Sequence, residues 1–137
     1  MSLSDQILQF VRRWWPTSLC VIVILYATLS SDPTPDIEIS VIPHIDKLIH
    51  AIMFGGLTGA IVFDYQRTNR HQHISRKVMA IIAVVCIVAG GLDEIAQATL
   101  TTNRDAEWAD FAADITGIVI ACFTAPVAVR KILKIRS

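Results

Sequence analysis

Charged residues are scarce in this sequence. They make up 18% of the chain, whereas 53% of the residues are hydrophobic and the mean hydropathy is +0.53. Soluble domains usually carry about 25% charged residues. The deficit, together with long apolar runs, argues against an ordinary soluble domain and indicates that lipid is the solvent. The length of 137 residues fits one domain, so 1–137 is taken as a single membrane domain.

Signatures of several common chemistries are also missing. The sequence has no Gly-rich nucleotide-binding loop, no nucleophile elbow and no HExxH motif, which argues against ATP-driven transport and familiar hydrolase chemistry. Cys20, Cys86 and Cys122 lie far apart in apolar runs without CxxC spacing. We therefore predict small buried thiols rather than a disulfide or a thiolate metal site. No nucleic-acid partner is expected.

Four apolar runs of about 20 residues predict four transmembrane helices. They cover residues 14–30, 46–63, 77–100 and 107–129. The runs are too long for strands and lack strict alternation, so the predicted fold is an all-α integral membrane bundle. The first run can also be interpreted as a secretory signal peptide. We favour a retained helix, because no small-x-small cleavage site follows and Trp14 and Trp15 are typical of an interfacial anchor.

The basic residues are segregated along the chain. Two precede the first span, four lie in 65–77 and four follow the last span, which makes ten of the twelve. Only Lys47 and Arg104 lie in segments on the opposite side. The positive-inside rule places the basic side in the cytoplasm, and four spans then place both termini there.

Polar residues recur near the outer ends of the second, third and fourth spans. At each end, residues three or four positions apart share a helix face. Glu94 and Asp114 both lie roughly 10 Å inward from those ends at 1.5 Å per residue. An ionised side chain facing lipid costs about 3 kcal/mol, so we predict that the three helices turn these groups toward one another. The predicted polar cluster consists of Asp46, Lys47, His50, Asp93, Glu94, Gln97, Arg104, Asp110 and Asp114.

This cluster carries more acids than bases. Its five carboxylates face only Lys47, Arg104 and His50 as cations. Open access to water, protonation of a carboxylate, a bound cation or a cationic ligand group relieves such an excess. Arg104 is expected to pair with Asp110 or Glu94. No metal site is predicted and no cofactor is specified; the metal ligands, if an ion is bound, would be His50, Glu94, Asp110 and Asp114.

Small residues in the second and fourth spans predict a tightly packed bundle. Gly55 and Gly59 form a small-x-x-x-small pattern, and a ridge of small residues follows the fourth span. Such patterns let helix backbones approach closely in lipid. The ridge consists of Ala109, Ala113, Gly117, Ala121 and Ala125.

The polar residues resemble those of the VanZ-like family of bacterial membrane proteins. The matching motifs are Asp46-Lys47-x-x-His50, Asp93-Glu94-x-x-Gln97, Arg104, and Asp110-x-x-x-Asp114-x-x-Gly117, all within about 45–121. This chain departs from the pattern at Asp114, where family members often have Asn. The resemblance implies a multi-pass protein of the bacterial cytoplasmic membrane and suggests a role in resistance to teicoplanin-type glycopeptides. It implies no settled mechanism.

Three functions remain open on the sequence. The preferred one is a non-enzymatic cell-envelope protein whose outward-facing polar pocket binds an amphipathic ligand, such as a lipid-linked glycan, its head group or a glycopeptide-related compound. The second is a hydrolase or transferase acting on an envelope lipid through a metal or acid/base groups. The third is a proton-coupled carrier, which at four short spans would require a homo-oligomer.

Overall fold

The computed structural model describes residues 2–30, 44–101 and 107–135. Five α-helices fill most of these ranges, and no strand occurs within them. The all-helical prediction is therefore confirmed for the described residues. The helices are α1 (Leu3–Arg13), α2 (Trp15–Leu29), α3 (Ile45–Thr68), α4 (Arg76–Leu100) and α5 (Trp108–Ile132).

Helices α3, α4 and α5 are each long and apolar enough to cross a membrane. Their 24 or 25 residues extend over roughly 36 Å, which exceeds the hydrocarbon thickness of about 30 Å. Helices α1 and α2 pass the same test only together, and they meet at an angle of 90°. The described residues thus contain three helices that could span a membrane, or up to four spans if the bent pair counts as one, as expected for a multi-pass membrane protein.

Helix α1 was not predicted from the sequence, which indicated a single helix over 14–30. It begins with a capping box in which the Ser2 hydroxyl accepts a bond from the Asp5 N–H, and the Asp5 carboxylate accepts one from the Ser2 N–H. Leu3, Ile7 and Phe10 recur on one side of α1 and are more than half exposed. Helix α1 is therefore amphipathic, and its apolar side is not covered by the bundle.

Asp64 joins the start of α2 to the end of α3. Its side chain is fully buried, and one carboxylate oxygen accepts hydrogen bonds from the Thr17 N–H (3.1 Å) and the Thr17 hydroxyl (2.8 Å). The other oxygen accepts a bond from Arg67, which also donates to the Arg13 carbonyl. Asp64 thereby satisfies a free N–H in the first turn of α2. The predicted span 46–63 ended too early, because α3 continues through this buried carboxylate to Thr68.

Helices α3 and α5 approach each other most closely at Gly117. A Cβ atom on Gly117 would lie 2.0 Å from the Ala51 carbonyl oxygen, and one on Gly55 would lie 3.1 Å from the Gly117 carbonyl oxygen. Gly117 and Gly55 therefore lie in the contact between α3 and α5. Ala113 is half-buried on the same ridge of α5. Gly59 does not make a close approach, because a Cβ there would meet no described heavy atom within 4 Å outside its own helix turn.

Helix α4 buries polar residues and exposes apolar ones. Its apolar residues Val88, Leu92 and Ile95 are 56–61% exposed, whereas Glu94 and Gln97 are buried. A polar interior with an apolar exterior is the reverse of a soluble bundle and suits a lipid environment. The fold therefore turns the ionisable end of α4 toward the neighbouring helices.

Candidate functional site

Three helix ends meet at the same end of the bundle. These are the N-terminal end of α3, the C-terminal end of α4 and the N-terminal end of α5. His50, Glu94 and Asp114 lie five or six residues inside these ends, which corresponds to a depth of roughly 8–9 Å. The prediction of carboxylates at matching depth on neighbouring helices agrees with this arrangement.

His50 lies at the centre of the site. Its Nδ1 atom is 3.0 Å from Asp114 Oδ1 and 3.8 Å from Glu94 Oε1, and its Nε2 atom is 3.9 Å from Asp110 Oδ2. The first distance is a hydrogen bond, whereas the other two are too long for one. We call His50, Glu94, Asp110 and Asp114 the His50 cluster. It joins α3, α4 and α5 through one imidazole ring.

Two oxygens of the His50 cluster are buried without a hydrogen bond. Glu94 Oε1 and Asp114 Oδ2 have no partner among the residues that the structure describes. Asp114 is fully buried and the Glu94 side chain is 9% exposed. Glu94 is held by its other oxygen, Oε2, which accepts a bond from the Glu107 N–H at 3.2 Å. A buried acceptor without a donor is costly, so the cluster has unused capacity for a donor or a cation.

Lys47 forms ion pairs with three carboxylates at the outer edge of the site. Its ammonium nitrogen lies 2.6 Å from Asp46, 3.0 Å from Glu107 and 2.9 Å from Asp110. Asp46 and Glu107 are more than half exposed at the side chain, whereas Asp110 is 14% exposed. We call Asp46, Lys47 and Glu107 the Lys47 rim. The rim closes the cluster on the side nearest the helix ends.

Asp93 connects α4 to α2. One of its oxygens lies 2.8 Å from the buried Thr28 hydroxyl, and the other accepts a bond from Gln97 at 3.1 Å. The spacing of Asp93 and Gln97 predicted their common face. The partner on α2 was missed, because a threonine inside an apolar run gives no signal of its own. Asp93 and Gln97 thus support the α2–α4 contact beside the His50 cluster.

The structure gathers eight of the nine predicted cluster residues at this end. Six belong to the His50 cluster or the Lys47 rim. The other two are Asp93, which binds Thr28, and Gln97, which donates to Asp93. Arg104, predicted to pair with Asp110 or Glu94, lies outside the described residues. The sequence interpretation did not assign Glu107 to the cluster, although Glu107 lies only three positions before Asp110. The gathered residues are Asp46, Lys47, His50, Asp93, Glu94, Gln97, Asp110 and Asp114.

The basic residues gather at the opposite end of the bundle. His73, in the connection between α3 and α4, lies 2.6 Å from Arg130 near the end of α5. Arg70, His71 and Lys134 line the same cleft. The bundle therefore has one acidic and one basic end.

Comparison with known proteins gives no relative for this chain: no family model matches it, and no curated protein or solved structure matches significantly.

Proposed function

We propose that this chain is a VanZ-like protein of the bacterial cell envelope, and that its His50 cluster binds a lipid-linked glycan or a glycopeptide-related ligand. One observation carries the proposal. The residues that resemble the family motifs come from three distant segments, yet His50 lies within 4 Å of carboxylate oxygens from Glu94, Asp110 and Asp114. Packing alone does not require three carboxylates around one imidazole, because buried ionic groups stabilise a fold poorly.

The proposed topology has four spans with both termini in the cytoplasm. In this arrangement α2 is the first span, and its 15 residues, roughly 22 Å in length, require local thinning of the bilayer. Helix α1 lies along the membrane surface, with its apolar side in the lipid interface. The perpendicular bend, the exposed Ile7 and Phe10, and Trp14 at the junction support this placement. Asp64 and Arg67 bring the α1–α2 junction to the end of α3, which is the basic end of the bundle.

Charge supports the proposed sidedness. The positive-inside rule assigns the basic end to the cytoplasm. Lys47 is the only lysine or arginine of the described ranges that lies at the other end. The His50 cluster then faces the outer leaflet of the cytoplasmic membrane, at head-group depth, where lipid-linked glycans of the envelope and external glycopeptides are found.

The chemistry of the cluster favours a ligand that brings donors or positive charge. Glu94 Oε1 and Asp114 Oδ2 are available acceptors, and an amine or several hydroxyl groups would satisfy them. The apolar helix surfaces beside the cluster, such as Leu92 and Ile95, would contact a lipid chain. An amphipathic ligand meets both requirements.

The proposal predicts that lipid-linked glycan co-purifies with the protein through this cluster. The protein is extracted from bacterial membranes in mild detergent and its bound lipids are identified by native mass spectrometry. Asp110→Asn and Glu94→Gln should each reduce the bound fraction roughly tenfold or more, because a hydrogen bond to a charged group contributes about 1.5–3 kcal/mol. Asp64→Asn changes a buried carboxylate at the opposite end and should retain the lipid.

Resistance forms the second arm of this test. Cells that produce the wild-type protein should tolerate more teicoplanin than cells that produce Asp110→Asn at equal membrane abundance. Equal lipid binding and equal tolerance for wild type and both cluster variants would contradict the proposed function. Altered lipid binding with unchanged tolerance would retain the lipid-linked ligand and remove the glycopeptide role.

A further inference from the structure

We propose that His50, Glu94 and Asp110 are the ligands of one divalent metal ion, and that Asp114 positions His50 for it. One possible ligand atom from each of the three residues lies within 4.8 Å of the others. Two ligands at about 2.0–2.2 Å from a common ion lie no more than about 4.4 Å apart. The His50–Asp110 distance of 3.9 Å already meets that limit, and small side-chain rotations bring in the third ligand.

An independent observation points into the same space. Glu94 Oε1 is buried and accepts no hydrogen bond from any described residue. The Glu94 side chain as a whole is only 9% exposed. An oxygen in that position requires a donor or a cation. His50 Nδ1, at 3.8 Å, is too distant to donate to it.

Each proposed ligand has a second group that orients it. Asp114 lies 3.0 Å from His50 Nδ1; since a carboxylate accepts, the proton is assigned to Nδ1 and the Nε2 lone pair points toward Asp110. The backbone N–H of Glu107 holds Glu94 by its far oxygen. Lys47 holds Asp110 by Oδ1 and leaves Oδ2 facing His50. Carboxylate–histidine pairs and held carboxylates of this kind surround metal ions in proteins.

The charges of the site favour a divalent ion. Three ionised carboxylates, Glu94, Asp110 and Asp114, surround a neutral imidazole, and the Lys47 ammonium beside them is shared with Asp46 and Glu107. One divalent cation reduces that excess of negative charge. By contrast, the exposed acidic group of Asp46, Glu107 and Asp110 already surrounds the ammonium of Lys47 at 2.6–3.0 Å, so a metal ion has no place there.

The ligand types indicate which ions would bind. Two carboxylates and one imidazole suit Zn²⁺ or Mn²⁺ better than Ca²⁺ or Cu⁺, because imidazole favours transition metals and no thiolate or thioether is present among the three ligands. Three protein ligands leave coordination positions open for water or for an oxygen of a bound molecule. The inference goes beyond the proposed function: the ion binds whether or not a lipid-linked ligand does.

The test uses the full-length protein in detergent, stripped with chelator and then dialysed against Zn²⁺ or Mn²⁺ alone. Elemental analysis should find about one ion per chain after removal of free metal. Pulsed electron paramagnetic resonance on the Mn²⁺ form should show coupling to an imidazole nitrogen. That coupling should vanish in His50→Ala and persist in His73→Ala, which changes a histidine at the basic end.

Variants of the other residues give graded expectations. Glu94→Gln and Asp110→Asn should lose stoichiometric binding, and Asp46→Asn should keep it. Asp114→Asn retains an oxygen acceptor for His50 Nδ1 and should weaken metal affinity by about 10–100-fold without abolishing the imidazole coupling. Circular dichroism and a monodisperse elution profile establish that each variant is folded before its metal content is compared.

Three results would overturn the inference. They are wild-type protein without stoichiometric metal, bound Mn²⁺ without imidazole coupling, and unchanged binding in the folded Glu94→Gln and Asp110→Asn variants. The outcome is separable from that for the proposed function, because this test contains no lipid ligand. Metal binding without lipid binding leaves the metal site alone standing, and lipid binding by a protein that takes up no metal leaves only the proposed function.

Discussion

Gly117→Ala is expected to prevent α3 and α5 from packing in their native positions. The added Cβ would lie 2.0 Å from the Ala51 carbonyl oxygen and 2.7 Å from its carbonyl carbon. Both atoms belong to the backbone of a helix, so no side chain can rotate away. Overpacking usually costs about 1–3 kcal/mol, and we expect a loss above that range. The measurement is thermal or denaturant unfolding in detergent, followed by circular dichroism.

Two other glycines of α3 supply matched controls. Gly59→Ala adds the same methyl group where no described heavy atom lies within 4 Å outside its own helix turn. It should be neutral or stabilising by up to about 1 kcal/mol, because alanine favours helix. Gly55→Ala, with the Gly117 carbonyl oxygen at 3.1 Å, should lie between the two. Equal stability of Gly117→Ala and Gly59→Ala would contradict the close approach.

His50→Ala is expected to be the most destabilising substitution within the His50 cluster. It removes His50 Nδ1, which lies 3.0 Å from the fully buried Asp114 carboxylate. It also removes the imidazole ring that lies near both Glu94 and Asp110, so that these two carboxylates repel each other more strongly. Breaking a buried pair by removing one partner costs about 3–5 kcal/mol. Unfolding is measured with chelator present, so that metal binding does not contribute to the difference.

A double-mutant cycle isolates the His50–Asp114 contact. The loss of unfolding free energy in the His50→Ala/Asp114→Ala double variant should be clearly smaller than the sum of the losses in the two single variants. The reason is that Asp114→Ala removes the buried carboxylate that His50→Ala leaves without a partner. His50→Gln, which keeps an N–H donor, should be milder than His50→Ala. Additive effects of the two alanine substitutions would mean that the side chains do not interact.

The sequence predicted the helices of the bundle better than their ends. Hydropathy located α3, α4 and α5, because each contains a long apolar run. It ended the second span at 63, since Asp64 and Gln66 look like loop residues, although both are buried within α3. Asp64 can be buried because Thr17 donates hydrogen bonds to it, and Thr17 lies 47 positions away in the sequence. A hydropathy average over neighbouring residues does not include such a distant partner.

Helix α1 was missed for a different reason. A search for apolar runs passes over an amphipathic segment, in which polar and apolar residues alternate with helical period. The Ser2–Asp5 capping box and the repeat of Leu3, Ile7 and Phe10 were readable signals of a helix. The 90° bend after it lies beside Pro16, which favours a helix start at this point. The contacts of Asp64 and Arg67 then hold the junction against the end of α3.

The sequence predicted which residues form the polar cluster, but not how they are arranged within it. Spacing of three or four residues showed which acids share a face, and the cost of exposing them to lipid showed that they face inward. Neither argument reveals that His50 lies between Asp110 and Asp114, nor that Asp93 binds Thr28. Those choices depend on the rotation of each helix, which the contact of Gly117 with Ala51 fixes between α3 and α5.

The central claim is that acids from neighbouring membrane helices converge on His50, and solid-state magnetic resonance in lipid bilayers tests it most directly. The protein is labelled with ¹⁵N in histidine and ¹³C at the aspartate carboxyl carbon. We predict a measurable dipolar coupling between His50 Nδ1 and the Asp114 carboxyl carbon, because Nδ1 lies 3.0 Å from Asp114 Oδ1, and its disappearance in Asp114→Ala. Absence of that coupling in the wild-type protein would contradict the convergence of these helices.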